Sequence, residues 1–294
     1  MANLKILRKR IATVRSTQQI TRAMKMVAAA KLRRAQSSVL AARPYAATMK
    51  QLLEFLSSRI DVSAVPVMAE REVKKVAVVV VTSDRGLCGA FNSNLLRVAT
   101  AHMAGITGAG KEGAVLTVIG IGRRGSDFYA KRGYTMAGRY VNVYQGMTFA
   151  RVQGIAREIV EGYLRGDYDA VDLVYNEFKS VARQTPVVER FLPIPRPASA
   201  DGAKEAGVEY IYEPSREEIL RALVPRHLAY QVWKALLESM AAEEAARMTA
   251  MENATRNASD LVSALQLQYN KARQASITKE LLEVVGGAEA LQAG

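Results

Sequence analysis

Between Arg226 and Val285 the chain holds sixty residues without a proline or a glycine. A stretch that long, free of both helix breakers, predicts a helix of about 90 Å at 1.5 Å per residue. A chain of 294 residues cannot wrap a domain around such a rod, so the helix needs a partner helix. One seam along it reads Met248, Met251, Thr255, Ala258, Val262, Leu265, Tyr269, Ala272 and Ser276. These alternating steps of three and four are coiled-coil spacing.

The N-terminus supplies the partner. Leu4, Leu7, Ile11 and Val14 begin a heptad seam that continues through Gln18, Thr21 and Lys25 to Ala28, Leu32, Ala35 and Val39. Its middle is polar. Apolar residues stand meanwhile at Ile20, Met24 and Val27, which predicts a local shift of register there. The helix should run to about Arg59, with a kink at Pro44. Two heptad segments at opposite ends of a chain imply an antiparallel pair: the chain leaves the shaft, builds a small domain and returns.

The middle of the chain has a different grammar. Val76 to Thr82 is β-branched and ends in Ser-Asp-Arg-Gly, a strand closed by a turn. A helix near Asn92 to Met103, a strand at Ala114 to Ile121 and a helix near Arg123 to Arg132 follow. A short strand is expected at Tyr140 to Tyr144, a helix at Phe149 to Arg165, and strands at Ala170 to Phe178 and Val187 to Pro193. Glu209 to Glu213 reads as a last strand, and Ser215 with Glu218 as the capping box of the returning helix. Alternating strands and helices imply an α/β layer fold with a largely parallel sheet.

The formal charge of +13 calls for an acidic partner, whether nucleic acid, membrane or protein. It is placed unevenly: no Asp or Glu occurs between Met1 and Gln51, where twelve Lys and Arg stand. Aromatics make up only 6% of the chain, too few for stacking on bases, and no compact basic region precedes a parallel zipper. A nucleic-acid binder remains a rival reading, recognisable by affinity that falls steeply with salt. No run approaches the ~18 apolar residues of a membrane span, and no apolar signal segment is evident.

Few residues suggest chemistry. Gly120-Ile121-Gly122-Arg123-Arg124-Gly125 is a literal GxGxxG between a strand and a helix. However, it follows the second strand of the domain. No carboxylate for a ribose stands about twenty residues on, where Arg139, Tyr140 and Asn142 lie. A tight turn is the plainer reading, and a nicotinamide-dependent enzyme is the rival, tested by saturable binding of NAD. Cys88, the only cysteine, has no nearby histidine to activate it and reads as a packed thiol. Glu243 and Glu244 read as solvated acids on a helical face. No cofactor and no metal site are expected.

Three stretches together resemble the gamma subunit of the F-type ATP synthase: Ile20 to Lys31 (ITRAMKMVAAAK), Thr82 to Gly89 (TSDRGLCG) and Tyr269 to Gly287 (YNKARQASITKELLEVVGG). The resemblance covers essentially the whole chain. It implies an α/β protein in which an antiparallel coiled coil of the terminal helices carries a central Rossmann-like domain. The expected divisions are 1–60 and 214–294 for the two coil helices and 72–213 for the domain between them. It also implies a rotor without an active site. The shaft would turn inside a hexamer of alpha and beta subunits, and the foot would rest on the epsilon subunit and the c ring. One copy would serve each complex, touching the membrane only indirectly and binding no nucleic acid.

By position, the resemblance places Met24, Lys25, Arg247, Arg273, Gln274 and Thr278 against the alpha–beta head, with Leu281 to Val285 in an apolar bearing at its top. Tyr210 and Tyr212 fall in the foot. The cysteine pair of the chloroplast branch is lacking, so no thiol switch is expected. A bacterial protein, peripheral on the cytoplasmic side of the inner membrane, fits best. The polar seam positions Gln18, Thr21 and Lys25 are expected to give the shaft torsional compliance.

Overall fold

The computed structural model describes residues 2–57, 65–69, 71–108, 114–195 and 215–292. Its elements in chain order are helix α1 (Ala2–Ser57), strand β1 (Lys75–Val81), α2 (Phe91–Gly108), β2 (Val115–Ile121), α3 (Arg123–Ala130), β3 (Thr135–Tyr140), α4 (Phe149–Arg165), β4 (Ala170–Phe178), β5 (Gln184–Leu192) and α5 (Arg216–Gln292). They form two compact units, Met1–Ala28 with Arg247–Gly294, and Ala29–Ala246. Tyr210, Tyr212 and the strand expected at Glu209 to Glu213 lie outside the described residues.

Helix α5 extends the sixty-residue reading at both ends, to 77 residues, or about 115 Å. Ser215 caps it, its hydroxyl accepting a hydrogen bond from Glu218 N at 3.2 Å. Pro225 does not stop it. The carbonyl that Pro225 leaves without its helical donor belongs to Arg221, and both residues are exposed, so the break falls on the solvent side of the helix. The same holds in α1, where Pro44 lies inside the helix and Leu40, four residues back, is exposed.

In the first unit the strict heptad holds throughout. Leu4, Leu7, Ile11, Val14 and Gln18 are half-buried, while Thr21 and Ala28 are buried. On α5, Met251, Ala258 and Leu265 are buried, and Met248, Thr255, Val262, Tyr269, Ala272 and Ser276 are half-buried. The register shift expected at Ile20, Met24 and Val27 does not occur: Ile20 and Val27 are 58% and 57% exposed. Apolar character failed as a guide here because the polar seam residues find partners. Thr255 Oγ1 donates to Thr21 Oγ1 at 2.8 Å, Thr21 donates to the Gln18 carbonyl at 3.0 Å, and Lys25 Nζ meets Glu252 Oε1 at 2.9 Å. Arg15 Nη2 donates to Gln266 Oε1 at 3.0 Å. Residue numbers fall on α1 as they rise on α5, so the pair is antiparallel.

The second unit is built on a five-stranded sheet of order β3-β2-β1-β4-β5. β1 lies parallel between β2 and β4, β3 is parallel to β2, and only β5 is antiparallel. β1 is buried on both faces, which explains its unbroken run of small apolar residues. Val76, Val78, Val80, Val118 and Val174 pack against Leu95, Leu96, Ala99 and Met103 of α2 and Tyr129 of α3. Val79, Val81, Ile119, Leu173 and Tyr175 pack against Val152, Ile155, Ile159 and Tyr163 of α4 and against α5 from Leu220 to Leu236.

Two expectations are corrected in this unit. The strand expected at Tyr140 to Tyr144 is instead β3, ending at Tyr140, and residues 142–146 form a turn with Asn142 at φ 55°. Pairing with β2 overrides the weak β propensity of Thr-Met-Ala-Gly-Arg. Glu243 and Glu244 are not solvated: each is 7% exposed. Here α5 runs against other elements of the unit. Glu244 meets Lys31 at 3.5 Å, and nearby Glu238 accepts from Phe178 N at 3.0 Å where β4 ends.

His227 on α5 gives this unit a pH signature. Burial holds its pKa at about 4, well below the ordinary 6.5. The unfolded chain therefore binds a proton that the folded chain refuses, so this contribution to stability is complete above pH 6.5 and lost as pH falls toward 4. Between pH 6.5 and 5, above the carboxylate range, the loss should reach about 1.5 kcal/mol. Urea unfolding across that window checks it, and His227→Gln should flatten the slope.

Candidate interaction surface of the helical pair

The helical pair seals its own seam and leaves a distinctive outer surface. Ile6, Ile20, Met26 and Val27 of α1 are all more than half exposed, as is Leu267 of α5. Single exposed apolar residues are ordinary, but a helical pair with several on its outside marks a contact surface. Around them stand the basic residues of a helix that carries no acid before Glu54: Lys5, Arg8, Lys9, Arg10, Arg15 and Arg22 are exposed.

α5 outruns its partner. Arg15 faces Gln266, and in an antiparallel pair the start of α1 then lies near Ser276. That is where half-burial on α5 ends: every residue from Ile277 to Ala288 is exposed. Leu281, Leu282, Val284 and Val285 are 61%, 67%, 70% and 55% exposed. Arg273, Gln274 and Thr278 flank them and are likewise exposed. These five expected contact residues, Arg273, Gln274, Thr278, Leu281 and Val285, thus form one stretch on the end of α5.

The other expected contacts lie elsewhere. Met24 is half-buried beside the seam. Lys25 is drawn into the pair by Glu252, whose carboxyl it holds below the usual range through a charged hydrogen bond. Arg247 is half-buried and engaged. It lies five residues from Glu252, about 7.5 Å along the axis, whereas Arg273 lies about 30 Å beyond Glu252 the other way. The site reading therefore resolves into two separate levels. Glu252 and Gln266 escaped sequence reasoning, which reads Thr255 only as a seam position. Numbering the two heptads against one another would have found Glu252, the acid that faces the seam lysine.

The groups that suggested chemistry are bonded within the chain. Cys88 is buried with Phe91 and Ala242, and Asn92 Nδ2 donates to its sulfur at 3.2 Å. Amides of the Gly120–Gly125 turn are bonded to the chain itself. Among the described residues no His, Cys, Asp and Glu cluster could hold a metal. No described helix is long and apolar enough to cross a membrane.

Comparison with known proteins agrees with this architecture. A family model described as ATP synthase matches residues 3–291. The ATP synthase gamma chain of Chloroherpeton thalassium is 49% identical over 302 aligned positions, covering 99% of each chain. That of Prosthecochloris aestuarii is 51% identical over 297, again covering 99% of each. A chain in the central stalk/c-ring structure of Tetrahymena thermophila mitochondrial ATP synthase superposes with a TM-score of 0.60 at 29% identity, covering 80% of this chain and 99% of that one. A chain of the Euglena gracilis mitochondrial enzyme, from an OSCP/F1/c-ring structure, shares the fold at a TM-score of 0.68 and 23% identity, covering 100% of this chain and 96% of that one. This chain therefore belongs to the ATP synthase gamma-chain family.

Proposed function

We propose that this chain is the rotating central stalk of an F-type ATP synthase. It turns inside the alpha–beta hexamer, rests on epsilon and the c ring, and couples proton flow to ATP synthesis or hydrolysis at the beta subunits. The observation that carries the reading is the antiparallel helical pair: its seam is closed, its outside is basic and dotted with apolar residues, and one helix projects alone. A rotor must meet three similar surfaces in turn, so no single contact can be a deep trap. Exposed basic residues suit that demand, since an exposed ion pair is worth roughly 0–1 kcal/mol.

In this reading the chain works on the beta subunits by contact and has no active site of its own. The enclosed thiol of Cys88 and the self-bonded amides of the glycine turn support that. The head contacts are Met24, Lys25, Arg247, Arg273, Gln274, Thr278, Leu281 and Val285. Tyr210 and Tyr212 belong to the foot. The complex sits on the cytoplasmic face of a bacterial inner membrane, with one copy of this chain. Mixing the chain with alpha and beta subunits tests the proposal: a stable complex that hydrolyses ATP is expected, and failure to assemble counts against it.

The polar seam then has a mechanical role. Thr21 is 9% exposed, and exchanging its layer for leucine adds about 1 kcal/mol of apolar burial. The triple variant Gln18→Leu, Thr21→Leu, Lys25→Leu should raise the melting temperature and stiffen the shaft. The angular spread of a bead on the stalled rotor should narrow. An unchanged spread would remove compliance as the purpose of these residues.

A further inference from the structure

Between α4 and the strands β2 and β3 lies a groove of about 430 Å³, within the size range of small-molecule sites. The backbone shapes it. Val118 pairs with Met136 and Ile119 with Gly138, so Ala137, on the groove wall, is the extra residue of a bulge. Gly138 keeps the floor open: a Cβ there would lie 3.2 Å from the Tyr140 ring and 3.4 Å from Ile119. Ile119 and Ile159 are buried beneath the groove. Tyr168, in the turn after α4, adds a second ring, held by a hydrogen bond from its hydroxyl to the Ile159 carbonyl at 2.6 Å.

The rim runs against the charge of the chain. Among the described lining residues, Glu158, Glu161 and Asp167 stand against a single cation, Arg165, in a chain of formal charge +13. Arg165 is taken up by Asp167, which it meets at 2.8 Å. Glu161 has a loose pair with Arg157 at 3.8 Å, both side chains more than half exposed. Glu158 takes a neutral donor, the Tyr140 hydroxyl at 2.5 Å. Burial and that carboxylate push the hydroxyl well above its ordinary pKa, so it stays a donor at neutral pH. Glu158 and Glu161 stand three residues apart on one face of α4, where like charges disfavour a helix. A cation lying between them removes that cost.

The apolar floor and the two rings decide which cation. A bare metal ion leaves them unused, and the described acids form no metal cluster. An organic cation uses both carboxylates and rings. The groove is also larger than one lysine side chain fills, which favours a free molecule over a partner's side chain. We propose that this groove binds a small alkylammonium ion, its charge between Glu158 and Glu161 and its methylenes beside Ile119 and the rings of Tyr140 and Tyr168. This goes beyond the rotary reading and does not depend on it.

Calorimetric titration of the full chain with 1,4-diaminobutane, at an ionic strength held by sodium chloride, tests the site. Saturable binding is expected, with a Kd at or below about 1 mM. 1,4-Butanediol, of the same length but uncharged, should bind at least about tenfold more weakly. Glu158→Gln and Glu161→Gln should each weaken diamine binding by at least about tenfold. Both side chains are exposed, so neither change should move the melting temperature much. If loss of the Tyr140 bond loosens Glu158→Gln, then Glu161→Gln carries the test alone. Glu283→Gln, which removes an exposed acid of the other unit, should bind as the unaltered chain does. Three results overturn the proposal: titration that does not saturate, diol that binds as tightly as diamine, or Glu161→Gln that binds no more weakly than Glu283→Gln.

Discussion

Gly122→Val should cost the sheet-bearing unit roughly 4 kcal/mol or more. Gly122 has φ 96°, a region that a β-branched residue scarcely enters. A side chain there would also place its Cβ 2.1 Å from a backbone oxygen of β1's end. Neither atom belongs to a flexible side chain, so the strain must spread into β1 or α3. For a unit of this size the melting temperature should fall by about 10 °C or more. Gly133 separates the two causes. Its φ is 78°, but nothing lies within 4 Å of its Cβ position, so Gly133→Ala should cost only about 1 kcal/mol. Thermal and urea unfolding followed by circular dichroism measure both. If the two variants lose equally, close approach at the turn is not what requires Gly122.

Periodicity carried the long elements because it reflects burial directly. The seam residues from Leu4 to Val39 and from Met248 to Ser276 are the inward positions of α1 and α5. Helix α4 and strand β4 fall within the bounds read from their residues, Phe149–Arg165 and Ala170–Phe178. Thr148 caps α4 with a side-chain bond and Gly166 closes it at φ 80°, two local signals that need no tertiary context.

The misread positions were those decided by a neighbour far along the chain. Thr21 stays in the seam because Thr255 bonds it, and Glu244, read as solvated, is buried where Lys31 meets it. β3 is a strand because β2 lies beside it. At the helical pair, the sequence motifs pointed to positions on α5 that prove exposed. They could not show that Lys25 would be claimed by Glu252, because that pairing spans 227 residues.

The exposed end of α5 carries the largest functional expectation. Leu281→Asp, Leu282→Asp and Val285→Asp together change only exposed side chains in a helix that has already passed its partner. Stability of the free chain should therefore shift by no more than about 0.5 kcal/mol per site. If this end seats in an apolar bearing of the alpha–beta head, the consequence in the complex is different. Each apolar side chain buried there is worth about 1.5–3 kcal/mol, and an unpaired carboxylate in its place is costly to bury. Because such terms are not additive, we expect the dissociation constant of the reconstituted complex to rise by at least about tenfold and the torque against a viscous load to fall. Arg157→Ala, which changes an exposed side chain on α4 in the other unit, serves as the control and should leave assembly intact. A triple variant that assembles and turns like the unaltered chain would show that the end of α5 is not held by the head, and the basic flank of α1 would then have to carry the contact.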